Sequence, residues 1–160
     1  MDKNQIMINF IKTCPAINSC PLYFNFAEEN DNINHFIAET DPNAVKTFID
    51  GSILRQYTFS IVSYKSIAHN PLIDREGYID ENVGDLAQVQ SIIDWINEQE
   101  DEHNYPDFGT NTQVERMWCI TDDPDLHGVD VTKNPPLAKY SVVIRLEYLD
   151  TSKVIFQKGE

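Results

Sequence analysis

The sequence predicts an α+β domain, a mainly antiparallel sheet with two main helices packed on one face. Three observations lead there. Two stretches, one near the N-terminus and one over residues 85–99, carry apolar residues at helical spacing. Several others alternate apolar and polar residues with a period of two. These strand-like stretches come in neighbouring pairs, which favours hairpins over strand–helix–strand units. The expected order is helix, strand, strand, short helix, strand, helix, strand, strand. At 160 residues the chain has the length of one ordinary domain. Residues 1–150 are expected to form it, with 151–160 as a C-terminal tail.

The first helix starts at Asp2, a good N-cap, with Gln5 at capping-box spacing. Ile6, Met7, Phe10, Ile11 and Cys14 then share one face, and Pro15 stops the hydrogen-bond ladder. Leu22, Phe24 and Phe26 alternate with polar or smaller neighbours. Asn34–Glu39 alternates again, after the polar turn Glu29–Asn32, so a hairpin is expected. Asp41-Pro42 opens a short helical segment, Asn43–Ile49, which Asp50-Gly51 closes with glycine at the C′ position. Leu54–Tyr64 is the best strand, with Tyr57, Phe59 and Ile61 on one face and Thr58, Ser60 and Val62 on the other.

Lys65–Asn82 contains Pro71 and Gly77 and reads as a long loop. The second main helix runs from about Asp85 to Gln99. Leu86, Val89, Ile93 and Ile96 form its apolar stripe, widened by Ile92 and Trp95. Glu98, Glu100, Asp101 and Glu102 oppose the macrodipole at its C-terminal end, so that end is expected to fray. Tyr105–Gly109 is a turn. Gln113–Thr121 and Ala138–Leu149 are strands, joined by the loop Asp122–Leu137 with its two prolines and run of aspartates.

Composition narrows the function. Hydrophobic residues make up 41% and aromatics 11%, which excludes a wholly disordered chain. The net charge is −14, so there is no basic footprint for a phosphate backbone or an anionic membrane. Neither sequence-specific nucleic acid nor a membrane is an expected partner. No apolar run reaches the roughly 18 residues of a membrane span, and the polar start Met1–Gln5 is unlike a signal peptide. Cys14, Cys20 and Cys119 are an odd set, expected to be reduced thiols.

Catalytic, cofactor and metal residues are not assigned. Asp122–Asp130 lacks the ligand spacing and closing Glu of a calcium loop, and Pro124 interrupts it. His35, His69, His103 and His127 are scattered, and none has zinc-finger spacing to the cysteines. No phosphate loop, dinucleotide fingerprint or nucleophile elbow is present. Long loops in a compact domain are usually functional, which singles out Lys65–Asn82 and Asp122–Leu137. The candidate assembly residues are Arg55, Gln56, Asp122, Asp123 and Asp125. The competing reading of Arg55 and Gln56 is a strand start with a polar outer face. That of the aspartates is a solvated acidic hairpin loop.

The stretch Phe48–Phe59, FIDGSILRQYTF, resembles a signature of small phage and prophage minor capsid or minor tail proteins of Gram-positive bacteria. These are similar in layout to tail terminator, or tail-completion, proteins. The resemblance extends over most of residues 1–150. It takes in the N-terminal helix ending in Cys14-Pro15, the helix with Trp95–Gln99, the turn Pro106–Gly109 and the closing strand Arg145–Leu149. It implies a structural subunit that is not an enzyme and needs no cofactor. It also implies self-assembly into a ring, usually a hexamer, that caps the tail tube and joins it to the neck. The implied partners are further copies, the tail tube protein and a neck or head-completion protein. The implied location is the virion tail or a phage-tail-like particle, made in the bacterial host cytoplasm. Two other classes compete: a monomeric acidic adaptor for one protein partner, and an enzyme with an unrecognised acidic site.

Overall fold

The computed structural model describes residues 2–18, 20–25, 33–39, 41, 44–67, 75–133 and 136–155. Its elements in chain order are α1 (Lys3–Ile11), α2 (Pro15–Asn18), β1 (Leu22–Phe24), β2 (Ile33–Ala38), β3 (Lys46–Thr47) and β4 (Ile53–Ser66). They continue with α3 (Arg75–Asp101), β5 (Thr112–Cys119), β6 (Asp125–Asp130) and β7 (Leu137–Asp150). The described strands form one seven-stranded, mostly antiparallel sheet, so the α+β class holds.

Its spine is an antiparallel ribbon of β4 and β7. They pair without a slip from Ile53↔Asp150 to Ser66↔Leu137. β2 and β3 share the far side of β4, and β5 and β6 share the far side of β7. Alternation puts Phe59 and Ile61 of β4 on the same face as Val142, Ile144 and Leu146 of β7. That face carries the main core. Met7 and Ile11 of α1, Cys14 in the turn after it and Ile17 of α2 cover it, with Val89, Ile92, Ile93 and Ile96 from α3. Phe36 of β2 stacks on Phe59 with ring centres 4.6 Å apart.

Helix starts obey the local rules. Asp2 accepts a hydrogen bond from the Gln5 N–H at 3.1 Å, so it caps α1. Pro15 ends the first helical run and opens α2, where its missing N–H costs nothing.

Several expectations need correction. β1 and β2 pair in parallel, Leu22↔Asn34 to Phe24↔Phe36, and so are not a hairpin. The expected turn Glu29–Asn32 lies outside the described residues. The segment expected as a short helix over Asn43–Ile49 contains the two-residue strand β3, paired with Ile53 and Leu54. Asn43 itself lies outside the described residues. Asp41, the expected helix opener, turns its carboxylate to Thr58 of β4 instead.

The Lys65–Asn82 stretch is also not all loop. β4 runs on to Ser66, and α3 already begins at Arg75, with 68–74 outside the described residues. Leu86, placed in the apolar stripe of α3, is exposed. The Asp122–Leu137 loop contains β6, which pairs with β7.

The acidic end of α3 is anchored. The Asn104 N–H reaches the Gln99 carbonyl at 2.9 Å and the His103 N–H reaches Glu100 at 3.1 Å, a Schellman closure. His103 takes the left-handed position, φ 54°, where glycine would have been the recognisable signal. The Glu100 carboxylate accepts from the Met117 N–H at 2.7 Å and from the Tyr105 hydroxyl at 2.9 Å. Those bonds to β5 and the following turn outweigh the few tenths of a kcal/mol of helix-dipole repulsion.

Candidate assembly surfaces

The five candidate residues do not converge. Arg55 donates from Nε to Asp150 Oδ2 at 2.9 Å, an ion pair across the ribbon. Its neighbour Gln56 points to the opposite face, where Nε2 lies 3.4 Å from Glu147 Oε1. Asp122 and Asp123 are exposed in the bend between β5 and β6, and Asp125 opens β6 opposite Ser141. Arg55 pairs with Tyr148, so seven positions along β7 separate it from Asp125. That is roughly 23 Å at strand rise.

The sheet edges are poor templates for strand addition. β1 has only three residues. β5 is bulged between Val114 and Arg116, and β6 between Leu126 and Gly128. Short, bulged and acidic edges resist pairing with another chain. The β5 bulge has a second effect. It turns both Val114 and Met117 into the core although they are an odd number of residues apart.

The outward face of β4 carries a buried polar network that sequence reading missed. Between β2 and β3, Asp41 takes the place of a strand partner: its carboxylate accepts from the Thr58 N–H and hydroxyl, each at 2.6 Å. Arg145 Nε donates to Thr58 Oγ1 at 3.2 Å, and Ser60 donates to Glu39. Among the described residues of this network there is no histidine or thiol to act as base or nucleophile.

Cys14, Cys20 and Cys119 form no disulfide. Burial pushes the Cys14 thiol up, and burial followed by the nearby Asp122 and Asp94 carboxylates pushes Cys119 up to about 12. Both are therefore protonated near neutrality and weak nucleophiles. Among the described residues no three His, Cys, Asp or Glu side chains gather to hold a metal ion. No described helix is long and apolar enough to cross a membrane.

A repeated turn lock was legible but overlooked. Asp50, Asp130 and Asp150 each accept from the backbone N–H and hydroxyl of the Ser or Thr two residues on: Ser52, Thr132 and Ser152. The signal is Asp-x-Ser/Thr at a strand end. Those bonds hold the Asp50 and Asp130 carboxyls below their ordinary range. Asp150 sits at about 2, first through Ser152 and then through Arg55.

The Asp50 lock shapes a projecting turn. Gly51 has φ +89°, and a Cβ there would lie 2.3 Å from the Lys153 carbonyl oxygen. The Ile155 N–H bonds back to the Asp50 carbonyl at 2.8 Å, so residues 153–155 brace the turn. Ile49 is nevertheless 93% exposed and Ile155 75%, with Val45 and Phe48 beside them in the chain also exposed. A second exposed apolar set, Leu126, Val129 and Val131, lies on and beyond β6, among the aspartates. No protein-family model matches this sequence, and no curated protein matches it significantly.

Proposed function

We propose that the chain is a non-enzymatic structural subunit of a phage tail or phage-tail-like particle. Copies form a ring, a hexamer by the resemblance, that ends the tail tube and joins it to the neck. Its partners in this reading are further copies, the tail tube protein and a neck or head-completion protein. One observation carries the reading. The stretch of family resemblance, Phe48–Phe59, opens on the braced turn that bears Ile49, the most exposed large apolar side chain among the described residues. A monomer with no partner has no use for a rigid apolar projection, which costs solvation without stabilising the core. The protonated Cys14 and Cys119 thiols are poor nucleophiles, which favours assembly over thiol chemistry. Native mass spectrometry with negative-stain imaging tests it. A closed ring with a central hole is the expected result. A monomer at every concentration would overturn it in favour of the adaptor reading.

A further inference from the structure

Two surfaces of the chain are complementary in charge and both expose apolar groups. The first is the braced turn, where Val45, Phe48, Ile49 and Ile155 are exposed, as are Lys46 and Lys153. Lys46 lies over the Phe48 ring, 5.0 Å from its centre. The carboxylate in the same turn, Asp50, is engaged by Ser52. The second is an open groove of about 710 Å³ between α2 and α3. Pro15, Ala16 and Trp95 give it an apolar floor, and Asp94, Glu98, Asp101 and Glu102 rim it, with no basic residue in the lining among the described residues. Trp95 is steadied by Phe10, ring centres 5.2 Å apart. A rigid aromatic floor under an apolar cleft of this size is a usual anchor site.

We propose that the turn of one copy seats in the groove of a second copy, Ile49 over Trp95, with Lys46 and Lys153 against the carboxylates of α3. The turn ends the sheet and the groove lies on the helix layer, so the contact joins two different patches. Such a heterologous contact leaves a free turn on one copy and a free groove on the other, and it propagates until it closes or runs on. The proposal deepens the ring reading and rests on it only for closure. The chain carries −14 overall, yet the contact places basic residues against acidic ones. Local attraction therefore works against general repulsion, and added salt weakens the contact within a Debye length of about 8–10 Å.

Sedimentation velocity over a concentration series tests it, with five variants. Ile49→Asp weakens self-association by about 30-fold or more, the scale of a hot-spot loss. Lys46→Glu with Lys153→Glu, and separately Glu98→Lys with Glu102→Lys, each give monomers. Mixing these two charge-reversed proteins restores assembly with the two in alternation, because intact turn meets intact groove and reversed turn meets reversed groove. Carrying all four reversals on one chain restores assembly. All five positions are exposed, and unchanged melting midpoints confirm folding. A fifth variant reverses Asp122, Asp123 and Asp125 and leaves assembly intact. If it abolishes assembly instead, the β6 patch is the acceptor and the groove assignment is wrong. A closed ring that ignores every turn and groove variant sinks this contact but keeps the ring reading. Open filaments sensitive to those variants keep the contact and sink the ring. A wild-type monomer at all concentrations sinks both.

Discussion

Alternate residues of β4 are held by different physics. Phe59 and Ile61 point to the helices and are fully buried in an apolar cluster. Thr58 and Ser60 point the other way and are almost as buried, at 2% and 7% exposure. On the helix side, burial is favourable in itself, because apolar area leaves water. On the outward side, burial is tolerable only because Asp41, Arg145 and Glu39 supply hydrogen bonds. The helix side is a packing problem. Around Thr58 and Ser60 the outward face is a satisfaction problem, although Val62, Tyr64 and Leu137 pack a small apolar cluster farther along it, and the two regions should fail differently.

The largest effect is expected on the helix face. Ile93 is 1% exposed and packs in the cluster under α3. Ile93→Ala should cost about 2–4 kcal/mol, the lost transfer energy plus the cavity. Chemical denaturation measures it, and an unchanged midpoint would mean that this face of α3 does not carry the core.

Outward, Asp41→Ala strips the buried Thr58 of the acceptor for its N–H and hydroxyl. The expected cost is about 1–3 kcal/mol. Thr58→Val should cost a similar amount. The double variant should cost clearly less than the two added together, since both remove the same bond. Strict additivity would show that the network is incidental to stability.

The same contrast decides what could be read from the sequence. The stripe Val89, Ile93, Ile96 and the alternation of β7 are apolar periodicities, and both marked the core correctly. Asp41 carried no such signal. Its role depends on a gap between β2 and β3, which only the long-range pairing of β4 creates. For the same reason a helix was expected where β3 forms. The start of α3 was missed because Pro71 and Gly77 suggested loop. The end of α3 was misjudged because His103, not glycine, closes it. The assembly surface was half legible. Asp50-Gly51-Ser52 marked the turn, but its brace comes from residues 153–155, a hundred positions on and expected as a mere tail. Trp95 was recognised as part of the helix stripe, and nothing local revealed that it also floors a groove.

The end of the ribbon tests whether backbone fit matters as much as either face. Gly51→Ala puts a methyl group into the Lys153 carbonyl and a side chain at φ +89°. The left-handed conformation alone costs about 1–2 kcal/mol. The brace should also loosen, so hydrogen exchange should speed up at the Ile155 amide while the β4–β7 core stays protected. Equal acceleration throughout would mean that the turn is no separate unit.

The smallest expected effect asks whether polar support, dominant on the outward face, also reaches the helix-side end of the ribbon. Asp150 shares a face with Tyr148, yet it is held by Ser152 and Arg55. Its carboxyl titrates at about 2, below the roughly 3.9 of an ordinary aspartate. A depressed folded value means that the unfolded chain binds the proton more readily. The contribution to stability is therefore complete above about pH 4 and is lost as pH falls towards 2. An ion pair this near the surface contributes only about 0–1 kcal/mol. Asp50 and Asp130 are depressed in the same direction, so wild-type acid sensitivity is shared with at least these two carboxylates among the described residues. Asp150→Asn isolates the share of Asp150. It keeps an oxygen for Ser152 but has no charge for Arg55 and no proton to gain. Its stability curve should start slightly below wild type at neutral pH, fall less steeply between pH 4 and 2, and meet the wild-type curve at the acid end. Parallel curves across that window would show that Ser152 and Arg55 do not act through the charge on Asp150.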